Sequence, residues 1–336
     1  MTETVGALGE RGVLRRVLAR LDPAPAATLG PGDDSAVLGV AGELVITTDT
    51  MIEGPDFRAA WHGGFDLGWK LAATNLSDVA AMGARPIALT LALAVPRHTP
   101  VALLEEIATG MNAACRALAP GCGVVGGDLG TAPVITAAVT ALGELAGHPA
   151  VTRSGARPGH VIAYAGDLGL AGMGLSLLFG EAADADGAAH ARTLPGLRRS
   201  HPEILAAQFA PTPPIGLGVI AARAGATAMM DVSDSLSIDA ARLARASEVT
   251  LDLDAALLES GFGRQRGVAV PLSAMLSGGE DHGLLATFPA DASLPAGFLP
   301  IGRVVPGAPD TAALLLSGAP YDPAGWDPYV VRWPGA

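Results

Sequence analysis

Trp69-Lys70-Leu71-Ala72-Ala73-Thr74-Asn75-Leu76-Ser77-Asp78-Val79-Ala80-Ala81-Met82-Gly83 reads as a largely apolar helix. Ala72, Leu76, Val79 and Gly83 fall on one face, and Leu71, Asn75, Asp78 and Met82 on the face beside it, so Asn75 and Asp78 are expected to project together. Burying an unpaired charge is costly, so a carboxylamide and a carboxylate on such a helix need a metal or a structural hydrogen bond to satisfy them. On either side of it, Glu43 to Thr48 and Ile87 to Val95 are β-rich runs, followed by a helical segment over Val101 to Leu118 and a further strand over Val134 to Gly143. Strands alternating with helices predict an α/β fold.

Upstream, Val13, Leu14, Val17 and Leu18 at helical spacing predict one helix through the first twenty residues, ending near Asp22-Pro23. Downstream, Gly147-His148-Pro149 and Gly155-Ala156-Arg157-Pro158-Gly159 punctuate the chain as a linker. This predicts two domains, 1–147 and 148–336. In the second, Val161 to Ala165, Ala226 to Val232, Val249 to Leu253, Leu284 to Phe288 and Leu299 to Val304 read as strands. Leu170 to Phe179 and Ser235 to Ala246 read as helices, and Glu181 to Ala189 as a mobile loop.

Half of the 336 residues are apolar and only 16% are charged, which gives ample interior and excludes global disorder. The mean hydropathy is +0.40. Yet the longest apolar stretch, Pro86 to Pro96, is far short of the roughly 18 residues a membrane span requires, so a soluble chain is expected. The net charge of -12 argues against nucleic acid or an anionic membrane as partner. It is compatible with phosphate binding where metal ions supply the positive charge. Cys115 and Cys122 alone make neither a disulfide scaffold nor a zinc site. No secretory leader is visible at Met1-Thr2-Glu3-Thr4, so the cytoplasm is the expected compartment. The low surface charge also suggests an apolar interface and a homo-oligomer.

Acidic residues recur beside apolar runs. Thr48-Asp49 closes Leu44-Val45-Ile46 and is expected at the C-terminal end of a strand, where ligands sit in open α/β sheets. Gly30-Pro31-Gly32-Asp33-Asp34 is either a turn or a ligand loop held by Ser35-Ala36-Val37-Leu38. Val124-Val125-Gly126-Gly127-Asp128 is a tight hairpin turn or a backbone that lets phosphate approach closely. In Asp231-Val232-Ser233-Asp234, Ser233 or Asp234 is expected to cap the following helix, leaving free N–H groups for phosphate beside two carboxylates. Gly278-Gly279-Glu280-Asp281-His282 precedes a strand, and His282 is expected to pack or hydrogen-bond rather than act with Glu280 on one atom. The glycines of Leu168 to Gly174 fit close helix packing as well as a dinucleotide fingerprint, and Lys70 has no Gly-rich phosphate loop before it. Hard oxygen ligands suit Mg2+ better than soft metals, which points to magnesium-assisted phosphate chemistry.

Jointly these segments resemble the thiamine-monophosphate kinase family, in a superfamily with aminoimidazole ribonucleotide synthetase and selenophosphate synthetase. The carrying residues are Gly32-Asp33-Asp34-Ser35-Ala36-Val37, Thr47 to Gly54, Asn75 to Ala84, Gly126-Gly127-Asp128, Arg153-Ser154-Gly155-Ala156, Asp231 to Asp234 and Gly278 to Asp281. The resemblance implies an N-terminal mixed sheet with helices that binds ATP and Mg2+ and dimerises through a β-barrel. It also implies a C-terminal α/β sandwich that completes the cleft. The implied reaction is ATP plus thiamine monophosphate giving ADP and thiamine diphosphate, by direct in-line transfer in a homodimer.

Carried over by motif, the metal ligands would be Asp34, Thr47, Thr48, Asp49, Asp78, Asp128, Asp231 and Asp234, with Asp49, Asp78 and Asp128 at the reaction centre. Gly127, Asp128, Arg153 and Ser233 would hold ATP, and Asp56, Glu280 and Trp326 the thiamine side. Three positions depart from the family pattern. Asp56 stands where His is common in the Glu-Gly-x-His-Phe segment, Ser235 replaces the usual Gly after Ser233-Asp234, and His282 replaces a common Tyr. The rival activities are a catalytically silent nucleotide or metal sensor and the sister ATP-using enzymes. No Cys precedes Cys115 for selenophosphate chemistry, none follows Cys122 for a reactive tail, and Thr50 to Gly54 does not fit aminoimidazole ribonucleotide synthesis.

Overall fold

The computed structural model describes residues 3–145, 147–307 and 313–325. Gly9, at φ 75°, separates α1 (Val5–Leu8) from α2 (Glu10–Leu18), so the first helix expected from sequence is two. A short antiparallel pair, β1 (Ala27–Leu29) and β2 (Val37–Leu38), brackets the Asp33-Asp34 loop. Then come β3 (Leu44–Ile52), α3 (Gly64–Ala81), β4 (Arg85–Val95), α4 (Val101–Leu118), β5 (Gly123–Thr131) and β6 (Thr136–Glu144). The last four strands form one sheet in the order β3-β6-β4-β5. Only β4 and β5 are parallel, because α4 carries the chain back across the sheet between them.

Strand alternation divides β3 cleanly. Val45, Thr47, Asp49 and Met51 face inward, whereas Leu44, Ile46, Thr48, Thr50 and Ile52 are exposed on the other side. The buried face is covered by α3 and α4, which cross in close contact. A Cβ on Gly68 would fall 2.0 Å from the Ile107 carbonyl oxygen, and one on Gly110 2.1 Å from that of Phe65. Leu67, Leu71, Leu76, Leu104, Ile107, Met111, Leu89 and Val139 fill this core.

After β6 come β7 (Val161–Ala165), α5 (Leu170–Glu181), α6 (Leu194–Ser200), α7 (Pro202–Phe209), α8 (Ile215–Arg223), β8 (Ala228–Val232), α9 (Leu236–Ala246) and β9 (Val249–Leu253). The rest is α10 (Ala255–Phe262), a small hairpin of β10 (Arg264–Gln265) and β11 (Val268–Ala269), α11 (Leu272–Ser277), β12 (Gly283–Phe288), β13 (Leu299–Pro306), β14 (Leu314–Leu316) and β15 (Ala319–Pro320). A seven-stranded sheet runs β15-β14-β9-β13-β7-β12-β8, antiparallel except for β14 beside β9. Apolar clusters pack on both faces, one around Leu236, Leu243, Leu251, Met275 and Leu285, the other around Ala221, Met229, Leu284 and Phe288. The protein is thus a mixed α/β fold with two main sheets.

Helix α3 forms the seam. It touches β3, β4 and β6 on one side and β8, β12, α7 and α8 on the other. It is therefore buried nearly all round, and not along the one apolar stripe that its spacing suggests. No helix of the described residues is long and apolar enough to cross a membrane.

Candidate active site

Three acids from three elements meet at the seam. Asp49 comes from the inner face of β3, Asp78 from the last turns of α3, and Asp231 from β8. Thr47 donates to Asp78 Oδ2 at 3.1 Å. Asp231 Oδ2 accepts from Ser77 Oγ at 3.0 Å and lies 3.3 Å from His282 Nδ1, while His282 Nε2 lies 3.2 Å from Thr74 Oγ1. Burial pushes the Asp78 carboxyl up to about 8, helped by the neighbouring charges of Asp231 and Asp49. Asp49 is raised by burial and then by Asp231 and Asp234. His282 is raised despite its burial, because it hydrogen-bonds to Asp231. The cluster holds more negative charge than its own cations offset.

Several expectations need correcting. Strand β3 runs on to Ile52, so Thr48 and Asp49 lie mid-strand and point to opposite faces; Thr48 Oγ1 donates to the Val139 carbonyl at 2.9 Å on the exposed side. Gly126, Gly127 and Asp128 lie inside β5 and form no turn, and Gly127 is glycine because a Cβ would fall 2.0 Å from the Leu91 carbonyl oxygen. Asn75 is fully buried and is satisfied in part by a structural hydrogen bond, its Nδ2 donating to the Leu71 carbonyl one turn back while its Oδ1 has no partner among the described residues. The cap of α9 is Ser235, which accepts from the Ile238 N–H, and neither Ser233 nor Asp234 fills that place.

The N–H groups of Ser233, Asp234 and Ser235 are also not free for phosphate, because Asp239 Oδ2 accepts all three at 3.1, 3.0 and 3.3 Å. Asp239 has no exposed surface, so its loss strands three donors. We expect Asp239→Ala to lower unfolding free energy in urea by about 3 kcal/mol and to loosen the Ser233–Ser235 turn between β8 and α9.

Asp234, ion-paired with Arg242, opens onto a cavity of about 800 Å3 lined also by Asp56, Arg58, Met173, His201 and Glu280. Asp56 Oδ2 accepts from the Ile52 N–H at 2.7 Å, and burial raises its carboxyl, with Glu280 adding to the effect. Glu280 and His282 both have positive φ, 69° and 56°, so the segment is a twisted loop leading into β12. Between them Asp281 turns away to cap α5, accepting the N–H groups of Gly169 and Ala171. Gly172 and Gly174 of α5 are packing positions: a Cβ on Gly172 would fall 2.6 Å from Gly278 Cα, and one on Gly174 2.6 Å from the Ile204 carbonyl oxygen.

Asp34 and Asp128 are not brought to the Asp49 cluster. They are exposed and line a second cavity of about 640 Å3 with Asp33, Gly126, Gly127 and the side chains of Leu14, Leu18 and Met111. Strand β5 is the sheet edge opposite β3, which sets the two acid groups apart. Arg153 is exposed on the linker, its carbonyl accepting from Ser247 Oγ at 2.7 Å. Trp326 lies outside the described residues. Residues that sequence reasoning did not assign to the site are Lys70, Thr74, Ser77, Gln208 and Asp239. The signal for Lys70 was a lone lysine on an apolar helix.

The donor chemistry fits Mg2+: carboxylates and hydroxyls, no thiolates, and uncompensated negative charge held by rigid elements. Among the described residues no three His, Cys, Asp or Glu side chains close around one point to cage an ion.

This architecture matches known proteins. The family model "AIR synthase related protein, N-terminal domain" fits residues 32–145, which places the N-terminal part of the chain in that class of fold. Thiamine-monophosphate kinase of Mycobacterium tuberculosis is 37% identical over 334 residues, 97% of this chain and 93% of that protein, and the enzyme of Corynebacterium glutamicum is 35% identical over 96% of this chain. The crystal structure of thiamine-monophosphate kinase from Stenotrophomonas maltophilia K279a superposes with a TM-score of 0.74 at 32% identity, covering 92% of this chain and 97% of that one. AaThiL complexed with AMPPCP and TMP gives 0.70 at 28% identity, covering 97% and 99%. The chain belongs to the thiamine-monophosphate kinase family.

Proposed function

We infer that this protein phosphorylates thiamine monophosphate to thiamine diphosphate at the expense of ATP. The observation that carries the reading is the convergence of Asp49, Asp78 and Asp231 at the seam, beside a cavity walled by Asp56 and Glu280. These acids belong to a chain whose relatives across nearly its full length are thiamine-monophosphate kinases.

The acceptor is a phosphate monoester, already largely dianionic at neutral pH because its second pKa is about 6, so no side chain has to remove a proton. The difficulty is repulsion between two anions. We place Mg2+ on Asp49, Asp78 and Asp231, with Thr47 and Asp234 beside them; bound there it would supply positive charge to the phosphate oxygens. Ser77 and His282 fix the Asp231 carboxylate, and Thr47 fixes that of Asp78, so the oxygen ligands are oriented before substrate arrives. Asp56 and Glu280 offer negative surface to a cationic heterocycle. Asp34, Asp128, Gly127 and Arg153 are assigned to the ATP side. The division at residue 147 and a cytoplasmic setting are part of the same reading.

We also assign the exposed part of the outer face of the four-stranded sheet, beyond the portion that the β1–β2 segment covers, to a homodimer. Leu44, Ile46 and Ile52 are exposed there, Ile46 to 60%, beside the small side chains of Ala92 and Ala138. Ile46→Glu is expected to turn a dimer into a monomer in sedimentation velocity; an unchanged dimer removes this face from the interface.

The test of the activity is ADP release with and without thiamine monophosphate, in Mg2+ and after chelation. The reading requires ADP only when both are present. ADP at the same rate without the acceptor, or none with it, defeats it.

A further inference from the structure

The chain has one lysine among its 21 Lys and Arg residues, and that lysine is buried. Lys70, on α3, is 1% exposed, where lysine is almost never found unless paired. Its Nζ lies 2.7 Å from Glu280 Oε1, and Gln208 Nε2 on α7 donates to Glu280 Oε2 at 2.7 Å. Both carboxylate oxygens are thus fixed by side chains from two other elements.

The backbone beneath them is not at rest. Glu280 holds φ at 69°, a region that side-chain-bearing residues rarely adopt. Beside it, a Cβ on Gly279 would fall 2.6 Å from the Ser233 carbonyl oxygen. Contacts from outside the loop must hold Glu280 there. Its side chain nonetheless remains 28% exposed, on the wall of the 800 Å3 cavity. Burial alone would push its carboxyl up, but the Lys70 ammonium and the Gln208 amide hold it below the usual range.

We propose that Lys70 and Gln208 are positioning residues that hold Glu280, the carboxylate already assigned to the thiamine side, aimed into the cavity. For the identity of the ligand the inference rests on the thiamine monophosphate reading. Lys70, Thr74 and Ser77 follow one another at i, i+4 and i+7, so one face of α3 carries both the ammonium that fixes Glu280 and the hydroxyls that reach His282 and Asp231. The same helix therefore sets the distance between the heterocycle wall and the acid cluster.

The test is steady-state kinetics on the full chain with Lys70→Met and Lys70→Arg. Losing the orienting charge should raise KM for thiamine monophosphate about tenfold, the scale of one lost ionic contact of about 1.4 kcal/mol, and leave KM for ATP within about threefold. Arginine should recover part of the loss. A thiamine monophosphate KM within about twofold of wild type in folded Lys70→Met overturns the proposal. In case Lys70→Met does not fold, the single lysine permits a second measurement, because 15N-lysine labelling yields one side-chain Nζ resonance. Glu280→Gln should shift it without any ligand, and added thiamine monophosphate should shift it in the wild type. A resonance unmoved by Glu280→Gln overturns the pairing. That arm needs no substrate, so its failure is distinguishable from absence of ADP release, which strikes the functional reading instead.

Discussion

Asp78→Asn is expected to lower kcat by about three orders of magnitude, the scale of losing a charge-stabilising group at a phosphoryl-transfer centre. It should also stabilise the metal-free protein. Burial, and then Asp231 and Asp49, push the Asp78 carboxyl up to about 8 in the fold from its ordinary value of 3.8. The neutral form is favoured by folding, so wild-type stability is highest below the unfolded pKa and is lost as pH climbs from there through about 8. Asparagine never ionises, and its carbonyl still accepts from Thr47. The melting temperature of Asp78→Asn in chelator should match wild type near the acid end of that window and exceed it increasingly toward the alkaline end. Saturating Mg2+ with nucleotide should narrow or reverse the gap, since the wild type, with its third carboxylate, gains more from the ligand than the variant does. Equal kcat in the two proteins, or a stability gap that ignores pH, contradicts the assignment.

Gly68→Val is expected to cost about 3 kcal/mol or more of unfolding free energy, because overpacking here meets backbone and not a flexible side chain. The added Cβ would fall 2.0 Å from the Ile107 carbonyl oxygen, and Gly110 on α4 is equally tight against Phe65. Relief requires the helices to separate, and α3 carries Lys70, Thr74, Ser77 and Asp78, so activity should fall with stability. The contrast is Gly216 in α8, where a Cβ meets nothing within 4 Å. Gly216→Ala should be neutral or stabilise by about 0.5–1 kcal/mol. Urea unfolding of the two variants separates tight helix crossing from mere helix propensity.

Where periodicity alone decides, the sequence was sufficient. Val101 to Leu118 is read as a helix with its observed bounds, and Val161 to Ala165 as a strand. It failed where tertiary contact overrides local chemistry. Thr47, Thr48 and Asp49 look like a strand end because they are polar, yet β3 continues since its partner β6 supplies hydrogen bonds through Thr136. Gly126-Gly127-Asp128 looks like a turn, and is a strand whose glycines admit β4. Asp239 is the least legible of the site residues: it lies inside a predicted helix, and nothing local says that its carboxylate reaches back to three N–H groups. The acids themselves were legible as a set, but their grouping was not. Asp49, Asp78 and Asp231 meet because α3 packs between two sheets, while Asp34 and Asp128 share the far edge.

Anomalous diffraction from crystals grown with Mn2+ and a non-hydrolysable ATP analogue locates the cations directly. The account predicts anomalous density within ligand distance of Asp49, Asp78 and Asp231, bridged to phosphate oxygens. Nucleotide bound with no cation at any of these three carboxylates would contradict it.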